Sequence, residues 1–386
     1  MSNNFKNSIA QANVQFPIET VVQPMAGENY SRALIFMPQS LAAANLPGLD
    51  ITLGSIVELD ASNYGDVCAD KLKKWLTPYF TAAGAAKAGV VCFDVDTEST
   101  PEGEEEPVVV PATFPLEKAY EAAKMYAYFK FGLFESESEN EQNVSLSNLC
   151  LSDPLYSVLW IGTSDGSVLT KESALIAALN TANSKARVIY NSDADINPAL
   201  AQLGASLSVA NATGTPVGNS VDMVQFNTIG ASGNAGDDGK HDNLSATQKA
   251  ALDEQYIGYQ TTVGDGTENV VTEGGLNLKG ESVGANWIKA YVEYVCKVNT
   301  ANFITRMNKF RNNATYQAIL LILRNTVQPF VDFGRLSNFK LTAPVFADLP
   351  KSGDAITVPN AWEAEYVDNV RTVTVYGTLY ITQPSK

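Results

Sequence analysis

Histidine is almost missing. The 386 residues hold one, His241, which removes most of the acid–base and metal chemistry that imidazole supplies. Cysteine is sparse and scattered. Cys68, Cys92, Cys150 and Cys296 form no CxxC pair, so neither a zinc site nor a disulfide framework is indicated. They read as buried apolar filler. No run of eighteen apolar residues exists, which excludes a membrane-spanning helix. Neither G-x-x-x-x-G-K-[ST] nor H-E-x-x-H occurs, so no phosphate loop or zinc-protease helix is expected. The opening MSNNFKNSIAQANVQF lacks the basic and apolar regions of a signal peptide. That predicts folding in a reducing cytoplasm. No cofactor is implied.

Positive charge is also scarce. The net charge is −16, which argues against non-specific binding of nucleic acid. The distribution is uneven. Between Ala285 and Val345, eight basic residues face only Glu293 and Asp332, a net +6, and the rest of the chain is −22. Lys297, Arg306, Lys309 and Arg311 lie in this segment. It reads either as a solvated helix face or as a surface that docks on an acidic partner.

What is present is globular. A hydrophobic fraction of 45% in a chain of this length predicts a core divided over two or three domains. From about 30 to 210 strands and helices alternate. RALIFM, SIVEL, GVVCFDV, YSVLWIG and ARVIYNS read as strands. GDVCADKLKKWLTPYF, LEKAYEAAKMYAYFKFGLF, KESALIAALNTAN and NPALAQLGASLSVAN read as helices, the last with Pro198 in its first turn. This pattern predicts an α/β domain with a mostly parallel sheet. TESTPEGEEEPVVVPATFP reads as an exposed, mobile loop, and ESESENEQN as a second acidic, solvated stretch.

Past residue 215 the grammar changes to α+β. VDMVQFNTI is a strand and LSATQKAALDEQ a helix with Ser245 at its N-cap. YIGYQTTVGDGTENVVTEGG is strand, turn, strand, with Gly264 and Gly266 supplying positive φ. Two long helices follow, about 283–310 and 314–332, and the chain finishes on strands near 335–343 and 365–382. The last strand alternates strictly. Val373, Val375, Leu379 and Ile381 share one face, and threonines and tyrosines share the other.

Two motifs could carry chemistry. Gly162-Thr-Ser-Asp-Gly166 matches G-x-S-x-G after a strand, the context of a nucleophile elbow, with Ser164 as nucleophile of an α/β hydrolase. Against it, the following residues read as loop, and His241 sits in the solvated GNAGDDGKHDN. Asp193-Ala-Asp195-Ile-Asn197 begins like a calcium loop, but Pro198 stands where glycine is needed.

The segment LSATQKAALDEQYIGYQTTVGDGTENVVTEGGLNLKGESVGANWIKAYVEYV resembles a stretch of contractile bacteriophage tail sheath proteins. The shared pattern is a helix at 244–255, an aromatic-rich strand at 256–263 followed by Gly264, the pair Glu273–Gly274, and a helix opened by Trp287. Asn286 stands where the family commonly has Asp. YQAILLILRNTVQPFVDFGRLSNFKL resembles the family's late helix, and VDNVRTVTVYGTLYIT its terminal strand. The likeness covers about 220–386.

The resemblance implies a structural role rather than an enzyme. Many copies would form a helical sleeve around a tail tube, between baseplate and tail terminator proteins, in a virion assembled in the host cytoplasm. It implies an extended arm at 1–20 with Val14 and Phe16, an outer α/β domain at 21–215, an α+β core at 216–368, and a terminal arm at 369–386. The arms would exchange strands between neighbours through Val373, Val375, Leu379 and Ile381. Lys297, Arg306, Lys309 and Arg311 would face the tube. A surface-layer or adhesive protein is the remaining structural alternative.

Overall fold

A computed structural model describes residues 32–83, 87–99, 108–127, 129–132, 139–153, 158–194, 197–213, 225–226, 244–263, 269–273, 275–306, 311–349, 356, 358 and 361–367. Its centre is a strand covered on both sides. All six residues of β1 (Ala33–Pro38) are buried. Ala33, Ile35 and Met37 join the core on one face, and Leu34 and Phe36 join that on the other. Such a strand needs an unbroken apolar run, which ALIFMP supplies.

β1 pairs in parallel with β3 (Ala88–Phe93) on one side and β6 (Phe129–Gly132) on the other. β7 (Val158–Thr163), β8 (Arg187–Tyr190) and β10 (Gly258–Val263) continue the parallel array. β2 (Ile56–Leu59) closes one edge antiparallel to β3. At the other edge β11 (Asn269–Glu273) and β9 (Gln225–Phe226) are added antiparallel. The order is β2-β3-β1-β6-β7-β8-β10-β11-β9.

Helices cover both faces, as parallel strands require. α1 (Gln39–Asn45), α3 (Asp70–Ala83) and α7 (Pro198–Thr213) share the core of one face. α4 (Leu116–Ala123), α5 (Glu139–Ser152), α6 (Ala174–Thr181) and α8 (Ala246–Glu254) cover the other. α2 (Tyr64–Val67) is a single turn. A hairpin of β4 (Thr97–Ser99) and β5 (Val108–Val110) forms its own small sheet. α9 (Val283–Arg306) and α10 (Asn313–Asp332) then run to a two-stranded sheet, β12 (Leu336–Leu341) with β13 (Trp362–Tyr366).

Two expectations need correcting. The run at 116–132 is not one helix: α4 stops at Ala123 and β6 begins at Phe129. All four residues of β6 are buried, so it has no polar face and its apolar density continues that of the helix. The acidic stretch ESESENEQN, expected to be solvated, holds the start of α5 at Glu139 and a buried Asn143. Across residue 215 the sheet is continuous. β10 pairs with β8, so α8 and β9 to β11 extend the α/β layers. The helix pair and β12–β13 are what remains distinct, and even Trp287, Phe330 and Leu336 join the β1-side core.

The capping expectations hold. Ser245 Oγ accepts from Gln248 N at 3.3 Å while Gln248 Oε1 accepts from Ser245 N at 2.8 Å, a reciprocal capping box. α7 begins at Pro198.

Lys130 is the costly residue in this sheet. It is fully buried on β6, and its Nζ donates to the Lys124 carbonyl at 2.8 Å. Burial pushes its pKa down to about 8, with Asp153 and Cys150 pulling upward. Its folded pKa therefore lies below its unfolded value of 10.5. Between those values the unfolded chain holds the extra proton, so this group makes stability rise with pH. The penalty below pH 8 is of order 3 kcal/mol. Lys130→Met should gain about 2 kcal/mol at pH 7, after roughly 1 kcal/mol lost with the bond to Lys124. Its advantage over the wild type should shrink between pH 8 and 10.5. Urea melts of both chains across that range check this, and a constant gap would refute it.

Candidate assembly surface

The two long helices are joined through aromatic residues one turn apart. Trp287 stacks on Tyr291 with centroids 5.5 Å apart, and Phe330 meets both edge-on, at 6.1 and 5.5 Å. Such contacts add about 0.5–1.5 kcal/mol each beyond burial. Asn312 starts α10 by accepting from Thr315 N at 2.9 Å. Gly334, at φ +73°, sits just past its end, the usual left-handed stop.

Between the helices runs a groove of about 530 Å³. Tyr291, Val295 and Phe303 of α9 and Ile322, Pro329 and Phe330 of α10 line it. Asn299, Asn302, Asn325 and Arg306 supply its polar edges.

α10 also carries five aliphatics in succession, Ile319 to Leu323, and none is fully buried. Ile319 and Leu320 lean on the small cluster around Tyr316 and Leu349, and Leu323 on the main core. Ile322 lines the groove, and Leu321 is 56% exposed. A helix apolar all round is normally covered all round. Five of the eight exposed large hydrophobics among the described residues lie here, Leu321, Phe333, Leu341, Val345 and Val367. This unit therefore has the composition of an interface. The run ILLIL is the sequence signal for it, since five successive aliphatics give a helix more than one apolar face.

The expected basic residues separate. Arg306 is exposed and lines the groove. Arg311, just ahead of α10, holds its guanidinium 5.4 Å from the Phe346 ring centroid, a cation–π distance. Lys297 is half-buried; burial lowers its pKa while Glu293 and Asp153 pull it up. It thus belongs electrostatically to the body of the protein. Lys309, Val14, Phe16, Val373, Val375, Leu379 and Ile381 lie outside the described residues.

The G-x-S-x-G stretch forms a tight turn. β7 ends at Thr163 and a 3-10 helix, Gly166–Thr170, follows. Asp165 caps it, accepting from Ser167 N at 2.9 Å and from the Ser167 hydroxyl. Those bonds hold the Asp165 carboxyl below its usual range, against the opposing effect of burial. Gly162 is needed for packing, since a Cβ there would sit 2.5 Å from Asn197 Oδ1. The motif thus has a structural explanation, and His241 lies outside the described residues. Asn197 of the calcium-like stretch caps α7 instead, accepting from Leu200 N at 3.1 Å. Among the described residues no group of three His, Cys, Asp or Glu could hold a metal ion.

All four cysteines are buried and unpaired with one another. Burial pushes Cys68, Cys92 and Cys296 up to about 11 and Cys150 up to about 12. These are protonated thiols of the inert, structural kind.

No protein-family model and no curated protein matches the chain. Solved structures do. A Listeria innocua sheath tail protein, Lin1278, is 10% identical, over 88% of this chain and 95% of its own, at a TM-score of 0.37. A chain from the cryo-EM structure of the anti-feeding prophage baseplate is 12% identical. It covers 94% of this chain and 98% of its own, at a TM-score of 0.60. Over the matched length, the chain shares the fold of that baseplate chain.

Proposed function

We propose that the chain is a structural subunit of a contractile tail, a sheath protein that polymerises helically around a tail tube. The observation that carries this reading is the fold shared with a prophage baseplate chain over 94% of this chain. The resemblance of 220–386 to sheath proteins supports it independently. On this reading the particle is a virion, the sleeve sits between baseplate and tail terminator, and the chain performs no catalysis. No described helix is long and apolar enough to cross a membrane.

The physics of the C-terminal unit fits. β12 and β13 form a sheet of two strands, which is marginal alone. A strand added at either outer edge would supply main-chain hydrogen bonds, and its alternating side chains would set the register. The terminal arm, with Val373, Val375, Leu379 and Ile381, follows β13 and has that alternation. The N-terminal arm with Val14 and Phe16 is the second donor. Head-to-tail contacts that do not close produce a filament. Two rigid packings of different free energy, separated by a barrier, can then store the contraction without nucleotide.

Lys309 and Arg311, between α9 and α10 in the sequence, are the basic residues we assign to the tube. Negative-stain microscopy of the purified chain should show tubes or rings, and monomers would sink the reading. Lys309→Glu combined with Arg311→Glu should leave those polymers intact. It should weaken docking on the tail tube by about tenfold or more. Normal tube decoration in that variant would remove the assignment.

A further inference from the structure

The groove between the long helices has two unlike ends. Phe330, near the end of α10, meets Trp287 and Tyr291, near the start of α9, so the helices run antiparallel. Arg306, the last residue of α9, lines the opposite end. None of the lining residues is acidic, so nothing in the lining neutralises Arg306. At the Phe330 end, α10 closes on Asp332 and Phe333 follows in helical conformation. Both are exposed. Helical spacing puts Phe333 in line with Ile322, Thr326 and Pro329, which line the groove, and Asp332 in line with Asn325. Gln328 Nε2 donates to the Asp332 carboxylate at 2.8 Å. An acid in the last turn of a helix opposes the dipole, so Asp332 gains from a cation supplied from outside.

A second copy supplies the complement at both ends. Two grooves can face each other about two kinds of two-fold axis. An axis along the groove sets Arg306 against Arg306. An axis across it sets the Arg306 end of each copy against the Asp332–Phe333 end of the other. Only the second brings opposite charges together, and it does so twice. It also lays each exposed Phe333 in the other copy's apolar trough. Tyr291 and Arg306 are fifteen residues apart, about 22 Å of helix. Two packed helices are about 20 Å across. Two such faces together cover roughly 900 Å², the size of a transient contact.

We propose that two copies pair groove to groove about a two-fold axis across the α9–α10 groove, with Arg306 of each on Asp332 of the other. The four helices then form an antiparallel bundle. This goes beyond the polymer reading, because a contact that uses one surface twice closes at two copies. The pair is the form of the subunit before it polymerises, and it covers the apolar trough in that form. Arg306 serves this contact, and Lys309 and Arg311 are left for the tube.

Sedimentation of the full chain below its polymerising concentration tests the pairing. The wild type should reach a dimer with a dissociation constant in the micromolar range. Arg306→Glu and Asp332→Lys each set like charges together at both symmetric contacts, and each should raise that constant about tenfold or more. A chain carrying both reversals regains opposite charges and should dimerise like the wild type. That recovery also proves that the substitutions leave the fold intact. Phe333→Ala should raise the constant about a hundredfold, one decade for each ring buried. A wild type that is still monomeric at about 1 mM overturns the pairing. So does a dimer that neither reversal weakens, or a double variant that fails to recover, and each of these leaves the polymer reading in place.

Discussion

Phe330→Ala should destabilise the fold by about 3–5 kcal/mol, whereas Phe333→Ala, three residues on, should change stability by less than about 0.5 kcal/mol. The two phenylalanines sit at the same end of α10 and differ in surroundings. Phe330 is fully buried, lies edge-on to Trp287 and Tyr291, and belongs to the core that also holds Ile35 and Trp160. Removing it empties the joint between the helix pair and the sheet. The cavity cannot close, because α9 and α10 are held apart by their remaining side chains. Phe333 is 55% exposed, so its loss removes little folded-state contact. Its effect should appear in assembly, where an exposed ring within an interface is a candidate anchor. Denaturant melts and sedimentation of both variants separate the roles. Equal loss of stability in the two would mean that the helix pair is not seated as described.

That contrast marks what the sequence made legible. Both phenylalanines look alike in the string QPFVDFGR, and the helical period does not say which faces the body. The central strands were legible because two-sided burial leaves an unbroken apolar run, as in ALIFMP and AGVVCF. The same property hid β6. Phe129–Lys–Phe–Gly has no alternation, and it follows α4 closely enough to continue its apolar density. A buried lysine inside it masked the strand further. The N-cap at Ser245 was readable because it is local chemistry. The extension of the sheet past residue 215 was not, since strand order is a long-range property. Where β10 joins β8, Gly258 leaves room for the buried Arg187, since a Cβ there would lie 2.2 Å from Nη2. At the surface, the charge asymmetry found the C-terminal unit. It could not separate Lys297, drawn towards Glu293 and Asp153, from Arg306 at the groove.

Deleting residues 370–386 should abolish polymerisation and leave the fold stable. Among the described residues, both large cores are assembled between Ala33 and Tyr366, and these suffice to join the sheet to the helices on both faces. The segment itself has strong reasons to be held by a partner. Burying Val373, Val375, Leu379 and Ile381 would contribute roughly 6–12 kcal/mol. Ordering eleven residues costs more, about 11–22 kcal/mol. The balance turns favourable only where a sheet edge already offers main-chain partners, as β12–β13 does. Losing even 4 kcal/mol per link raises the concentration for assembly about a thousandfold. The expected product is therefore a monomer with an unchanged melting temperature, read by sedimentation and by thermal denaturation. Persistent polymers would show that the arm does not link subunits. A chain that instead loses several degrees of melting temperature would show that the last strand pairs within its own chain first.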